Sequence, residues 1–581
     1  MAFQVSPGVQ INEIDLTNVV PSVSASIGGY VGAFNWGPVE EVRTVSSEKE
    51  LASVFGTPTD VTARSFFTAA SYLKYSSNLK VVRAVAAAAR NATSGHSGTS
   101  GVLIKNREQY DSIGADGQLS IGAFAAKCPG ILGNSISVEI CGASSAVFNA
   151  WSFASNFSTA PSTSSWAVKA GASNDELHIV VIDKLGKWTG IVGAVLEKFE
   201  YVSQASDAQK ADGTSNYYKN VVNTNSNFIW WLDHPASANS ATASLANAGT
   251  NAYTYAAAYA TGSAPFVYTF AGGVDANVLA PADITGVVTS IFSDATTEDV
   301  NLLFTVCDAN GDNTISNALV ATADLRKDCV VFLSPPIEDS VGTATPVVDV
   351  KAWADTISST SYAVIDSTAV KVYDKYNDVF RWIPACGFVA GLCANVDQAA
   401  DAWFSPAGLN RGQLLGITKI AFNPKQADRD TLYKARVNPI VSFPGQGTIL
   451  YGDKTALAKP SAFDRIGVRR LFITLEKAIS AASKYQLFEF NDEFTRAMFR
   501  NMVEPFLRTV QGRRGITDFR VVCDSSNNTA DIIDRNEFVA EIYIKPARSI
   551  NYITLNFIAT RTGVEFSELS APSAAAPATI S

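Results

Sequence analysis

The sequence predicts a multi-domain protein that combines α/β and α+β architecture. Its 581 residues are several times the usual size of one domain, and about 150 residues per domain suggest roughly four domains. Between positions 266 and 435, strand-like runs that are apolar throughout alternate with helical patterns, which is typical of a sheet covered on both faces. The last 120 residues place two long helices before their strands, which indicates an α+β domain.

The first 20 residues have the pattern of an extended arm with a change of register. In SPGVQINEIDLTN (Ser6 to Asn18), Val9 and Ile11 alternate with polar residues, and Ile14 and Leu16 then alternate on the opposite parity. A single-residue change of parity is what a β-bulge produces. We therefore predict a strand with a bulge or bend near its middle, placed ahead of the first domain.

Residues 21–91 are predicted to form a compact unit of helices and strands. Ser46 or Ser47 is suited to cap a helix that ends at Gly56, and ARSFFTAASYLKYS places its apolar residues at helical spacing. NLKVVRAV predicts a buried strand. Residues 92–265 then become rich in Ser, Thr, Ala, Asn and Gly, with strand-like runs such as LHIVVID and NFIWWL between polar loops. They indicate one or two β-rich inserted domains.

The C-terminal domain is predicted over residues 436–560. Its first helix carries an apolar face opposite Arg469, Arg470 and Lys477, and its second begins near Asn491 and Asp492. The apolar faces are formed by Ile466, Leu471, Leu475, Ile479 and Ala482 in the first helix and by Phe494, Met498, Met502, Phe506 and Val510 in the second. Pro505 is predicted to kink the second helix.

Two strands are predicted to follow these helices, because apolar and polar residues alternate in both segments. Their apolar residues are Phe538, Ala540, Ile542 and Ile544 in the first strand and Ile553, Leu555 and Phe557 in the second. Residues 561–581 are expected to form a C-terminal arm with a short strand, TGVEFSEL, and an Ala/Pro/Ser tail from Ala571.

Charge and composition argue against several classes of function. The net charge of −9 disfavours direct nucleic-acid binding, since the protein would repel phosphate backbones. The first basic residue is Arg43, so no export signal is predicted. The apolar span from Trp382 to Ala394 is too short for the ~20 residues that cross a bilayer, so no membrane insertion is expected. Seven scattered cysteines indicate free thiols rather than a disulfide framework.

The sequence predicts no catalytic site, no metal site and no cofactor. The three histidines, His96, His178 and His234, all lie in the Ser/Thr-rich insertion, which excludes a Ser-His-Asp or Cys-His site in the α/β region. DANGDNT, from Asp308, resembles the start of a calcium loop but lacks the required Gly and Glu, and we interpret it as a capped turn. The basic cluster RTVQGRRG, from Arg508, is interpreted as a solvated helix end or a protein interface.

Several segments, in a consistent order, resemble contractile phage tail sheath proteins. They are the N-terminal SPGVQINEIDLTN with the following residues to Gly56, FAAKCPGILGNSISVEI, FAGGVDA, VNPIVSFPGQGTILYGDKT, IGVRRLF, FEFNDEFTRAMFRNMVEPFL and CDSSNNTADIIDRNEFVAEIYIKPARSINYITLNF. Cys128 stands where an aromatic residue is expected in the second of these. VLEKFEYVSQASDAQKADGTSNYYKNVV, in the insertion, is similar to the larger sheaths of T4-like phages, which suggests the multi-domain form.

The resemblance implies a fold, a set of partners and a location. The middle domain is expected to be subtilisin-like in topology and non-enzymatic. The chain is expected to assemble with itself into hexameric rings and a helical tube, and to contact the tail tube, baseplate and tail terminator proteins. It would be assembled in the host cytoplasm and become part of the virion tail. Contraction from a metastable extended state would drive the tube through the host envelope for genome ejection.

The same resemblance implies that terminal arms add strands to a neighbouring subunit. We hypothesise that Val9, Ile11, Ile14 and Leu16 belong to the N-terminal arm, and Val564 and Phe566 to the C-terminal arm. The acceptor sheet is hypothesised to contain Phe538, Ala540, Ile542, Ile544, Ile553, Leu555 and Phe557.

The sequence is also compatible with three alternatives. The chain could be the sheath of a phage-like bacteriocin or another contractile injection particle, which shares the core. A hydrolase with subtilisin-like topology is disfavoured by the missing histidine. A receptor-binding or glycan-binding role for residues 92–265 is the third.

Overall fold

The computed structural model describes residues 26–95, 101–113, 121–233, 260–261 and 264–551. Its strands are β1 (Gly28–Gly32), β2 (Arg43–Val45), β3 (Leu79–Arg83), β4 (Phe124–Ala126), β5 (Ile136–Cys141), β6 (Glu176–Asp183), β7 (Ala194–Ser203), β8 (Ile229–Trp231), β9 (Ala260–Thr261), β10 (Ala264–Thr269), β11 (Leu302–Thr305), β12 (Val330–Leu333), β13 (Ala363–Asp366), β14 (Val370–Asp374), β15 (Val379–Ile383), β16 (Lys419–Ile420), β17 (Val437–Asn438), β18 (Ile440–Phe443), β19 (Gly447–Leu450), β20 (Ile516–Val522) and β21 (Glu541–Pro546).

The helices of the same residues are α1 (Glu48–Phe55), α2 (Ala63–Tyr72), α3 (Arg107–Ser112), α4 (Ser145–Ala150), α5 (Ser165–Ala170), α6 (Tyr218–Asn225), α7 (Pro281–Phe292), α8 (Thr314–Arg326), α9 (Ile337–Ser340), α10 (Pro346–Thr356), α11 (Cys386–Ala399), α12 (Gln426–Lys434), α13 (Ile466–Ser483), α14 (Glu493–Gly512) and α15 (Ala530–Asp534). Within the described ranges, no helix is long and apolar enough to cross a membrane.

A seven-stranded sheet forms the centre of the protein, in the order β17-β13-β12-β11-β1-β3-β2. All of its pairings are parallel except that of β2 with β3. Buried apolar clusters cover both faces, one built on α2 and α11 and the other on α7, α8 and α10. The predicted α/β domain is therefore confirmed, and β1 and β3 show that residues before the insertion belong to the same sheet.

The insertion is built on a second sheet, in the order β7-β6-β5-β10-β9, whose pairings are antiparallel. Its strands confirm the expected β-rich character of this region. Its two ends meet near the central domain, where Arg90 bridges Val274 and Thr93 bridges Ala271. The sheet continues through Thr269, a few residues past the boundary predicted at 265.

The C-terminal domain packs α13 and α14 against the two-stranded sheet of β20 and β21. Ser47 and Asp492 cap α1 and α14 through their side chains, as the sequence predicts. The helix α14 continues through Pro505 to Gly512. The domain boundaries and the subtilisin-like topology stay predictions, although β17 extends the central sheet past residue 435.

Candidate assembly interface

One strand of the predicted acceptor sheet, β21, pairs antiparallel with β20 on the surface of the C-terminal domain; residues 523–540, with α15, connect the two strands, and we call the pair the hairpin. Its register pairs Phe519 with Ile544 and Val521 with Ile542, and it is shifted between Ile516 and Asp518. Residues on one face of the hairpin contact the buried core between α13 and α14; they are Phe519, Val521, Ile542 and Ile544. The opposite face is polar and exposed, so the hairpin covers the helices with one side only.

Both outer edges of this hairpin lack a strand partner among the described residues. Among those residues, β20 and β21 pair only with each other. The side chains of Ile542 and Ile544 face the core but are only half-buried. A two-stranded sheet is marginal in water, and an unpaired edge exposes backbone N–H and C=O groups that accept another strand. The structure therefore offers an edge to which further strands could be added.

The sequence prediction placed the start of this strand too early. Phe538 and Ala540 precede β21, which begins at Glu541. The side chain of Asn528 explains the difference: it accepts a hydrogen bond from the Val539 N–H at 2.9 Å and donates to the Val539 carbonyl at 2.8 Å. A side chain thus takes the place of a neighbouring strand at this position. Phe538 contacts the ring of Phe499, with centroids 5.5 Å apart.

The remaining predicted interface residues lie outside the described residues. They are Val9, Ile11, Ile14 and Leu16 of the N-terminal arm, Ile553, Leu555 and Phe557 of the acceptor sheet, and Val564 and Phe566 of the C-terminal arm. The strand β20 was not predicted, although apolar and polar residues alternate in its ITDFRVV segment, which could have indicated a strand.

Ion pairs attach the C-terminal domain to the central domain. Arg470 of α13 donates to both carboxylate oxygens of Asp397 of α11, at 2.7 and 2.5 Å, and both side chains are buried. Burial raises the pKa of Asp397 above its usual value, while the charge of Arg470 acts in the opposite direction. Arg513 forms a second pair with Asp401 at 2.7 Å. An ion pair thus links each of the two helices that carry the hairpin to the central domain.

The burial of Arg470 corrects the predicted orientation of α13. Arg469 and Arg470 are 7% and 3% exposed, because they face the central domain and not solvent. The guanidinium of Arg469 lies 4.3 Å from the centroid of the Tyr362 ring. Phe494 was predicted to lie on the apolar face of α14, but its side chain is 69% exposed.

One cluster at the carboxyl ends of the central strands has the residue types of a catalytic site. Ser334 donates from its hydroxyl to Asp366, and the Cys386 N–H donates to the Ser334 hydroxyl at 2.8 Å. All three residues are at most 2% exposed. Burial raises the pKa of Asp366 to about 7 and that of the Cys386 thiol well above its usual value. A buried neutral thiol without a base is a packing feature, not an activated nucleophile.

His178 is the one histidine within the described ranges, and it lies in the insertion. Its Nδ1 accepts from the Tyr201 N–H at 3.2 Å, so its Nε2 donates to the Thr159 carbonyl at 2.9 Å. Burial lowers its pKa, and its ring stacks on Phe157. These contacts give it a structural role.

The calcium-like stretch forms the capped turn that the sequence predicts. The Asp308 carboxylate accepts hydrogen bonds from the N–H groups of Ile315 and Ser316 in the first turn of α8. No group of three or more acidic, histidine or cysteine residues suited to a metal occurs in the part of the chain that the structure describes.

Family models match three parts of the chain. Models described as the phage tail sheath protein central domain, the phage tail sheath C-terminal domain and the tail sheath protein Gp18 domain III N-terminal region match residues 277–456, 458–560 and 26–84. The tail sheath protein of Vibrio phage KVP40 is 33% identical, over 97% of this chain and 99% of its own length. This chain belongs to the phage tail sheath protein family. The tail sheath protein of Enterobacteria phage T4 is 34% identical, with the same coverage of both chains.

Solved structures support the fold of this sheath protein. The sheath tail protein from Listeria innocua superposes with a TM-score of 0.54 at 13% identity, covering 91% of this chain and 93% of that chain. The one from Desulfitobacterium hafniense gives 0.51 at 14% identity, covering 93% of this chain and all of that chain. The likeness in fold to these two sheath tail proteins thus covers more than nine-tenths of this chain.

Proposed function

We propose that this sheath protein polymerises as stacked hexameric rings around a tail tube and contracts from a metastable extended state. Contraction would drive the tube through the host envelope for genome ejection. The proposed partners are other copies of the chain, the tail tube protein, and the baseplate and tail terminator proteins. Assembly would take place in the host cytoplasm, and the role would be structural, without catalysis.

The unpaired hairpin of the C-terminal domain carries this proposal. β20 and β21 pair only with each other in the described part of the chain, while their inward faces lie on the core of α13 and α14. Added strands would bond to the open edges through the backbone, with a net contribution of roughly 1 kcal/mol for each hydrogen bond. Several such bonds per strand would hold subunits together while their domains rotate during contraction.

The donor strands are proposed to come from the two arms of neighbouring subunits. Val9, Ile11, Ile14 and Leu16 would supply the N-terminal strand, and Val564 and Phe566 the C-terminal one. The acceptor side would include Ile542 and Ile544, with Phe538 and Ala540 beside it, and Ile553, Leu555 and Phe557. Head-to-tail links of this kind that do not close into a ring generate a helical tube.

Deleting residues 1–17 tests the proposal. The truncated protein is expected to fold and remain soluble but to form no tubes, because every subunit loses its donor strand while its own core is unchanged. Circular dichroism checks the fold, and sedimentation with negative-stain microscopy measures polymer. Removal of residues 572–581 is the matched control and should leave tubes intact. Long, regular tubes from the 1–17 deletion would rule out the N-terminal donor strand.

The phage assignment is favoured over a bacteriocin or another injection particle. The relatives that match over nearly full length are proteins of Vibrio phage KVP40, Enterobacteria phage T4 and Salmonella phage ViI. Genes for a capsid and a terminase next to the gene for this chain would support a phage, and their absence would favour the alternative.

A further inference from the structure

Residues 485–494, which connect α13 to α14 and begin α14, form an exposed aromatic segment that we call the aromatic loop. Its large apolar side chains are far more exposed than usual: Tyr485 74%, Leu487 63%, Phe488 105%, Phe490 84% and Phe494 69%. Since an aromatic side chain carries ~150–250 Å² of surface, the loop exposes several hundred Å². Exposed apolar surface of this size marks an interaction site.

The backbone of the loop holds these rings in solvent. Phe488 has a φ of 74°, a left-handed conformation that costs a bulky residue on the order of 1–3 kcal/mol. Such strain persists where the surrounding structure requires it and is concentrated at functional sites. The loop is also acidic, because it contains Glu489, Asp492 and Glu493 and no basic residue. Glu489 and Glu493 form no ion pair with any described residue.

A cleft with complementary chemistry lies between the central and C-terminal domains, and we call it the arginine cleft. Its volume is about 1240 Å³. The arginines that line it are Arg411, Arg429, Arg514 and Arg548, and the acidic residues are Asp430 and Asp453. Asp453 is already paired with Arg465 at 3.0 Å, so the cleft has an excess of positive charge.

The walls of the cleft are also aromatic. Arg411 lies 5.2 Å from the ring of Phe404, and Arg429 lies 5.7 Å from the ring of Tyr451. Arginine and aromatic side chains are the residues most enriched at the energetic centres of protein interfaces. Arg514 and Arg548 form no ion pair within the described ranges and are exposed, which leaves them available to a partner's carboxylates.

The loop and the cleft lie at opposite ends of the same helix. The loop includes the start of α14, and Arg514 follows its C-terminal end; a helix of 20 residues is ~30 Å long. A loop therefore cannot enter the cleft of its own subunit without unfolding this helix. A contact between the loop of one copy and the cleft of the next is head-to-tail and would repeat along a polymer.

We propose that the aromatic loop of one subunit docks in the arginine cleft of a second copy of the chain. Aromatic side chains of the loop fill the cleft, and Glu489 and Glu493 pair with Arg514 and Arg548. This inference rests on the proposed self-assembly and adds to it a second contact, made by side chains rather than by added strands.

A charge-reversal experiment on the full chain tests this contact. Arg514→Glu with Arg548→Glu, and separately Glu489→Arg with Glu493→Arg, are each expected to lower sedimentable polymer about tenfold or more, since like charges then face each other. The variant with all four reversals restores attraction and is expected to recover tubes. Arg508→Glu with Arg535→Glu, an equal charge change at exposed residues outside the cleft lining, is the control and should polymerise normally.

The outcomes separate this inference from the proposed function. If wild-type protein forms no tubes, the proposed self-assembly fails. If wild-type protein forms tubes and the fourfold variant, folded by circular dichroism, does not recover them, the loop does not occupy the cleft. Recovery when the cleft reversal is combined instead with Glu13→Arg and Asp15→Arg would assign the cleft to the acidic N-terminal segment and overturn the proposal.

Discussion

Asp366 is a buried carboxyl whose protonation couples folding to pH near neutrality. Burial raises its folded-state pKa to about 7, whereas an unfolded aspartate has a pKa near 3.8. Between about pH 4 and pH 7 the folded protein therefore keeps a proton that the unfolded chain loses. The stabilising contribution of this group is complete below about pH 4 and is lost as the pH rises through about 7.

Replacing Asp366 with Asn is expected to remove this pH dependence, because the amide does not ionise. The variant should gain stability relative to wild type between pH 5 and pH 8, by up to a few kcal/mol at about 1.4 kcal/mol per pKa unit. Urea midpoints at the two pH values measure the difference. Asp355→Asn, at an exposed position on α10, is the control and should not change the slope. An unchanged slope for Asp366→Asn would show that the buried carboxyl is not protonated near neutral pH.

Arg470 and Asp397 form a buried pair that fixes α13 to α11. Arg470→Met leaves the carboxylate buried without its cation, and removal of one partner of such a pair typically costs about 3–5 kcal/mol. The expected result is a clear drop in the thermal midpoint, measured by calorimetry. The double variant Arg470→Met with Asp397→Leu should recover much of the loss. A single variant as stable as wild type would show that the pair does not anchor the domain.

For three residues, Arg469, Arg470 and Phe494, helical periodicity predicted the wrong exposure. Arg469 and Arg470 stand on the predicted polar face of α13, but their partners, Tyr362 and Asp397, come from distant parts of the chain. Helical periodicity separates apolar from polar faces and does not predict that a polar face lies against another domain. Phe494 shows the converse: its spacing fits a core position, but the residue is exposed.

Among the helices, local capping signals predicted where α1 and α14 begin, whereas α10, α11 and the helices of the insertion were not predicted. Ser47 caps α1 and Asp492 caps α14, because capping depends on residues within one turn. Strands were harder to predict in the C-terminal domain, where β20 was missed and β21 was started early at Phe538. The side chain of Asn528 takes both hydrogen bonds of the Val539 backbone there, and apolar periodicity does not predict a contact between a side chain and the backbone.

Pro505 provides a test of helix energetics in α14. It lies inside the helix on an exposed face and has no N–H to donate to the carbonyl four residues earlier. Pro505→Ala restores that hydrogen bond and is expected to raise the free energy of unfolding by about 1–3 kcal/mol. The measurement is the thermal midpoint, with Glu504→Ala as the neighbouring control. A lower midpoint for Pro505→Ala would mean that the packing of α14 depends on the local geometry of proline.

At the scale of the whole molecule, domain classes were predictable and their connection was not. The sequence separates residues 21–91 from residues 266–435 by the insertion, yet β1 pairs directly with β11 and β3 in one parallel sheet. The pairing of β1 with β11 joins residues more than 270 positions apart, such as Gly28 and Leu302. The predicted arms lie outside the described residues, so the structure describes the hairpin, while its acceptor role and the donor strands stay predictions.

Helical reconstruction of tubes by electron cryo-microscopy would show directly whether subunits are joined by strand addition. Tubes assembled from the full chain are expected to show the β20–β21 hairpin extended by a strand that contains residues 9–16 of a neighbouring subunit. The side-chain density of Val9 and Ile11 would identify that strand. An uncovered hairpin edge, or residues 9–16 packed on their own subunit, would contradict assembly by strand addition.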